Sequence, residues 1–211
     1  MRGKTIYLID GANFFSAVKA LGFDMDYSKL DQALGIDEGR VLRRYYFTTV
    51  KEAKSPDDYQ SLKPLLDYLA LNVHCKYRVV TKPVKEFESL EGERRIKSSM
   101  SVELVLTGMR HAYNGEVDQV VLFSGNGDFI PFVAELQERS IFVSVVSTMK
   151  SNPSMISDEL RRQADSFLDL ADLMPNLKRD LTTRRPRDDR RKFRDRDGDA
   201  DATEKPIDDD R

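Results

Sequence analysis

Soft metal ligands are nearly missing from this chain: its 211 residues include one cysteine, Cys75, and two histidines, His74 and His111. An intrachain disulfide framework is excluded, and a zinc site of the usual Cys/His kind has too few ligands. No stretch reaches the roughly 18–20 unbroken apolar residues that span a bilayer, which predicts no membrane partner. The apolar run within the N-terminal MRGKTIYLIDGANFF stops at an acid after four residues. A signal peptide needs a longer run and a small-residue cleavage site, so this segment reads as a first strand and the expected compartment is the cytoplasm. Net charge is also nearly absent, with 34 Lys+Arg against 36 Asp+Glu. That balance excludes a uniformly basic nucleic-acid coat and a strongly acidic, chaperone-like chain. What is present is 40% apolar residues, enough for a core, over a length that fits about one to one-and-a-half domains.

The balance hides a strong asymmetry. Residues 178–196 (KRDLTTRRPRDDRRKFRDR) carry ten basic and four acidic side chains, and residues 197–211 carry seven acidic and two basic. Leu181, Phe193 and Ile207 are the only large apolar residues in that stretch. Such a segment cannot offset its ordering entropy. The sequence therefore predicts a folded domain over residues 1–175 and a disordered charged tail over 176–211. Two readings of the tail stand: a solvated segment whose halves neutralise each other, or an arginine-rich arm that tracks a phosphate backbone.

Within the folded part, strand and helix patterns alternate. Strands are expected at 4–10 (KTIYLID), 41–50, 73–81, 119–123 (QVVLF) and 141–147, and helices at 13–21, 58–71, 102–113, 129–139 and 154–170. Ser101 stands where it would cap the 102–113 helix. Alternation of this kind implies βαβ units, hence an α/β fold with a mostly parallel, five-stranded sheet. Ligands of such sheets bind in the crevice outside the carboxyl ends of the strands.

Two strand ends carry chemistry. The first is Asp10-Gly11-Ala12-Asn13, and the second is Ser124-Gly125-Asn126-Gly127-Asp128-Phe129. If the two strands are neighbours, Asp10 and Asp128 converge and need a cation between them. Oxygen ligands without histidine or cysteine favour Mg²⁺ or Mn²⁺, and a metal so held can orient a phosphodiester and activate a water. Each acid alone also has an ordinary structural role: Asp128 as a helix cap, Asp10 in an Asx-turn.

The segments IDGANFF, RRYYF, KSSMSVELVLTGM, VVLFSGNGDF and MISDELRRQADSFLDL, in this order, resemble the NYN domain in its LabA-like branch, part of the PIN-like nuclease superfamily. The resemblance covers roughly residues 4–173. It implies a Rossmann-like, three-layer α/β/α fold, an acidic cluster binding Mg²⁺ or Mn²⁺, and RNA as the partner. Position by position, Asp10 matches the acid of the family's first strand and Asn13 the asparagine of its DGAN turn. Asp128 matches the second acid of an SGDxDF motif, and Ser124 and Gly125 match that motif's turn. The resemblance thus implies Asp10, Asn13, Asn126 and Asp128 as the catalytic set, with Asp10 and Asp128 on the metal. The substrate contacts expected with it are Ser124, Gly125, Ser101 and Lys97, where Lys97 has two readings, a phosphate contact or a solvated flanking lysine.

Three positions depart from the family pattern. Where relatives carry aspartates, this chain has Ser101, Thr107 and Asn126, while Lys97, Met100, Val102, Glu103 and Leu104 still match. Hydroxyls are poor ligands for a hard dication. The charge of the implied site falls from about −5 to about −2, and each lost carboxylate near a dication is worth several kcal/mol before desolvation. Glu103, two residues past position 101, would point about 200° away on a helix. Weak or absent metal binding is therefore expected. Two functions from different classes follow: a metal-dependent ribonuclease of low activity, or a catalytically degenerate relative that binds RNA or a protein. The protein partner is not identifiable from sequence, and a homodimer is the commonest default.

Other polar residues have plainer readings. Arg43 and Arg44 adjoin on a strand, so one should face outward. Tyr45, Tyr46 and Phe47 read as sheet core. His74 and Cys75 would face opposite sides of a strand and make no nucleophile–base pair. Arg161 and Arg162 could line the crevice or solvate their helix. A GxGxxG turn, a P-loop and the second aspartate of haloacid-dehalogenase phosphatases are all missing, and the SGNGDF turn does not fit a two-component receiver.

Overall fold

The structure, a computed structural model, describes residues 3–50, 63–71, 76–88, 94–97 and 99–179, with the backbone alone for 63, 85–88 and 94–97. His74, Cys75, residues 58–62 of the expected second helix and the tail from Asp180 lie outside the described residues.

The strands are β1 (Thr5–Asp10), β2 (Val41–Val50), β3 (Tyr77–Pro83), β4 (Lys85–Glu88), β5 (Arg94–Lys97), β6 (Gln119–Phe123), β7 (Phe142–Ser147) and β8 (Ser166–Asp169). Six of them form one sheet in the order β3-β2-β1-β6-β7-β8, and every pairing in it is parallel. β4 and β5 pair separately as an antiparallel hairpin. The continuous apolar runs that mark β1 and β6 are what a parallel strand covered on both faces requires. Ile6 and Leu8 face one core, and Tyr7 and Ile9 face the other, all four fully buried.

Helices cover both faces. The first core takes Leu104 and Ala112 of α4 (Ser101–Tyr113), Phe132, Val133 and Leu136 of α5 (Ile130–Glu138), and Leu160 of α6 (Asp158–Gln163). The second takes Phe14, Ala17 and Val18 of α1 (Gly11–Ala20), Leu30 of α2 (Leu30–Ala33), Leu66 and Leu69 of α3 (Lys63–Leu71), and Leu170 and Leu177 of α7 (Leu170–Leu177). This is the expected three-layer α/β/α architecture. Among the described residues no helix is long and apolar enough to cross a membrane.

The sheet has six strands where five were expected. Residues 154–170, expected as one helix, divide into α6, β8 and the start of α7. Ser157 caps α6 by accepting the Leu160 N–H. Ala164 then turns extended, at φ −64° and ψ 145°. Asp165 Oδ2 accepts the Val143 N–H at 2.7 Å, which aligns Ser166–Asp169 beside Ser144–Ser147. α7 runs through Pro175 to the buried Leu177, and the compact unit ends at Arg179.

The tandem arginines separate as strand geometry demands. Arg43 is exposed, whereas Arg44 is buried and pairs with Asp31 of α2, its Nε 3.3 Å from Oδ1. Tyr45, Tyr46 and Phe47 are all core residues.

Candidate functional site

The strand order reverses between β1 and β6: the chain proceeds outward from β1 through β2 to β3, then returns to β6 and proceeds outward through β7 to β8. The crevice at the carboxyl ends of β1 and β6 is therefore the topological switch point, where α/β sheets place their ligands. A cavity of about 340 Å³ opens there. Its polar lining comes from Asp10, Asn13, Ser16, Thr49, Ser99, Ser101 and Asn126, and Phe47, Met100 and Met155 supply apolar wall.

Asp10 ends β1 and caps α1. Its Oδ1 accepts the Asn13 N–H at 3.4 Å, and its Oδ2 accepts the Ser124 hydroxyl at 3.0 Å. Ser124 Oγ accepts the Asn126 N–H at 3.2 Å, and Asn13 Oδ1 accepts the Gly125 N–H at 2.9 Å. The two strand ends are thus stitched together from both sides. Gly125 is needed for close approach rather than for a left-handed turn: a Cβ there would lie 1.6 Å from the Met155 carbonyl oxygen. Gly11 is also closely packed, though less so, since a Cβ would lie 2.7 Å from the Phe47 carbonyl oxygen.

Burial pushes the Asp10 carboxyl above its ordinary value. The Ser124 hydroxyl and the Asn13 and Ala12 N–H groups only partly counter this. An unpaired carboxylate out of water favours its proton, and among the described residues no cationic side chain lines this cavity.

Asn126 caps the short 3₁₀ turn Gly127–Phe129, accepting the Asp128 N–H at 3.1 Å, and its Nδ2 donates to Asp128 Oδ2 at 3.2 Å. Asp128 is solvent-exposed and is not among the residues lining the crevice. Ser101 does line it, but as the first residue of α4 rather than the expected cap. Met100 holds the cap position without a side-chain bond, and the Ser99 hydroxyl before it accepts the Ser101 N–H at 3.3 Å. Thr107 lies away from the crevice, its hydroxyl donating to the Glu103 carbonyl at 2.7 Å. Glu103 pairs with Lys82 at 2.8 Å, which holds its carboxyl below the usual range. Lys97 ends β5, and its side chain lies outside the described residues. Arg161 and Arg162 both pair with Asp158 on their own helix.

Ser16, Thr49 and Ser99 were not singled out from the sequence. Ser16 lies three residues after Asn13, on the same side of α1, and Thr49 lies near the carboxyl end of a strand that neighbours β1, so helix periodicity and the strand-end rule could have found both. A larger cavity of about 570 Å³, lined by Phe15, Phe23, Tyr27 and Tyr68 among others, lies between α1 and α3. It lacks the polar groups of both strand ends, so the smaller crevice is the candidate site.

A divalent metal is what the family resemblance implies. The donor set does not fit it. Among the described residues Asp10 is the sole carboxylate in the lining, and the other polar groups are hydroxyls and amides. Mg²⁺ and its like select carboxylate and phosphate oxygens and shed water reluctantly. Among the described residues no group of three or more His, Cys, Asp or Glu side chains could hold a metal ion.

The model of the NYN domain family matches residues 4–171. The low amplitude and bright protein LabA of Synechococcus elongatus is 30% identical over 168 residues, 78% of this chain and 82% of that protein. A crystal structure of a Vibrio parahaemolyticus protein of unknown function has the same fold. It superposes with a TM-score of 0.59 at 22% identity, covering 84% of this chain and 97% of that one.

Proposed function

This chain belongs to the NYN domain family, in its LabA-like group, and from that premise we propose that it binds RNA in the switch-point crevice without efficient metal-dependent hydrolysis. The observation that carries this reading is the crevice lining, in which Asp10 is the only carboxylate among the described residues. A nuclease-type fold with such a lining has lost the charge that would hold a dication, while its hydrogen-bonding capacity is intact. Asn13, Asn126, Ser99 and Ser101 offer donors and acceptors to phosphate and sugar oxygens. Asp10 offers an acceptor to a ribose hydroxyl, the group by which a protein distinguishes RNA from DNA.

Labelled single-stranded RNA and DNA of one sequence, titrated with the full chain, test the binding half. The expected result is about tenfold preference for RNA, reduced on Asp10→Ala; the scale is that of one hydrogen bond left unmade. Incubation with Mn²⁺ tests the chemistry half. The parent should leave RNA intact, and the double variant Ser101→Asp, Asn126→Asp should acquire Mn²⁺-dependent cleavage. Efficient cleavage by the parent that Asp10→Asn abolishes would return the chain to the metal-dependent ribonucleases. Absence of RNA binding would remove the reading altogether.

A further inference from the structure

α4 has two apolar faces. Leu104, Gly108 and Ala112 are buried against the sheet. On the opposite side Val102, Leu106 and Tyr113 are 66%, 58% and 64% exposed, with the half-buried Met109 between them. At about 100° per residue these four fall within an arc of about 60° along the whole helix. Single exposed apolar side chains are ordinary, but an aligned row over three turns marks a contact surface.

The row has a symmetry of its own. Its spacings are four, three and four residues, so it reads the same from either end. We propose that this stripe is the interface of a homodimer, in which α4 packs antiparallel against α4 of a second copy about a two-fold axis midway between residues 107 and 108. In that register Val102 of one copy meets Tyr113 of the other, and Leu106 meets Met109. The charges agree with it. Glu103 and Arg110 lie on one flank of the stripe, and a two-fold axis of this kind brings like flanks together. Arg110 of one copy and Glu103 of the other then lie about 3 Å apart along the helix axis, within reach of an ion pair. Glu103 holds Lys82 through Oε1 and its Oε2 is buried without a hydrogen-bond partner, so the bridge to Arg110 forms at Oε1 beside Lys82; no ion-pair partner of Arg110 occurs among the described residues. The antiparallel arrangement also sets each helix dipole against its opposite. At its far end the ring of Tyr113 is held by Arg139, whose guanidinium stands 3.8 Å from the ring centre, so the anchor is presented already ordered.

One helix pair covers less than the ~800 Å² per partner of a standard interface, so the dimer is expected to be concentration-dependent. Sedimentation velocity of the full chain over about 1 to 200 μM, the range that brackets such weak association, reads it directly. The sedimentation coefficient should climb toward the dimer value. Leu106→Glu should hold it at the monomer value, with an unchanged circular dichroism spectrum because Leu106 is exposed. Arg110→Glu should weaken association about tenfold, and Arg110→Glu with Glu103→Lys should restore it. A monomer across the whole range overturns the proposal and leaves the stripe to a different protein. A dimer that survives Leu106→Glu overturns it as well, and failure of the charge swap to restore association overturns the antiparallel register.

Discussion

Asp10 shows how one residue can tie two strand ends together at an electrostatic cost. Its two oxygens cap α1 and grip Ser124, yet burial makes its ionised form costly. The folded-state pKa is raised above the ordinary value of about 3.9, so the native state binds the proton more readily than the unfolded one. The stabilisation from that proton is present below the unfolded pKa and is lost as pH rises through the folded value. Asp10→Asn, neutral at every pH, should therefore raise the melting temperature at pH 7, by the ~0.5–2 kcal/mol typical of single stabilising changes, and add nothing near pH 3. Thermal melts of parent and variant at the two pH values check this. A second residue-scale prediction concerns Gly125. The Met155 carbonyl would meet any Cβ there, so Gly125→Ala should cost ~1–3 kcal/mol, as overpacking does, read by urea denaturation.

At this scale the sequence was informative where a strand end met a polar turn. Asp10, Asn13, Ser101 and Asn126 line one crevice, with Ser124 and Gly125 binding its two sides together. Asp128 and Thr107 were harder. Asp128 keeps the family's acid and Thr107 replaces one, but whether a side chain faces a cavity or solvent depends on the local turn, and here Asn126 takes up the cap while Asp128 stays outside the lining.

Among elements, β1, β2, β6 and β7 were legible because each is a short β-branched or apolar run between polar turns. β8 was not. Met155, Ile156, Leu160, Phe167 and Leu170 can be laid on one helical face, and neither glycine nor proline marks the break at Ala164. The signal is tertiary: a strand forms because Asp165 and Asp169 lock onto the edge of β7 and the loop that follows it. Asp169 is buried, accepts from the Thr148 hydroxyl at 2.9 Å and from the Met149 N–H at 3.1 Å, and caps α7 through the Ala171 N–H. Asp169→Ala removes all three contacts and should cost ~3 kcal/mol, chiefly by stranding the buried Thr148 hydroxyl and the α7 terminus. Urea denaturation should show it. Hydrogen exchange should show faster opening of Ser166–Leu177 than of β1.

For the molecule as a whole, large apolar side chains become scarce past Leu177, and the compact unit ends at Arg179. The arginine-rich segment beyond Arg179 is distinguishable from the folded unit by salt. A chain ending at Arg179 should melt at the temperature of the full chain. If the arm contacts phosphates, the truncated chain should bind single-stranded RNA with a shallower dependence on salt, by about 0.7 in logarithmic slope for each contact removed. Equal slopes would assign the tail no part in binding.

The order of the sheet also constrains how the protein is made. Asp10 and its partner Ser124 are separated by 114 positions along the chain. A ribosome that has released the first hundred residues has delivered the carboxylate but not the loop that holds it. The crevice cannot be occupied until the second half has emerged and docked against the first. The crevice therefore takes its shape only once the loop after β6 has left the ribosome and β6 has paired with β1.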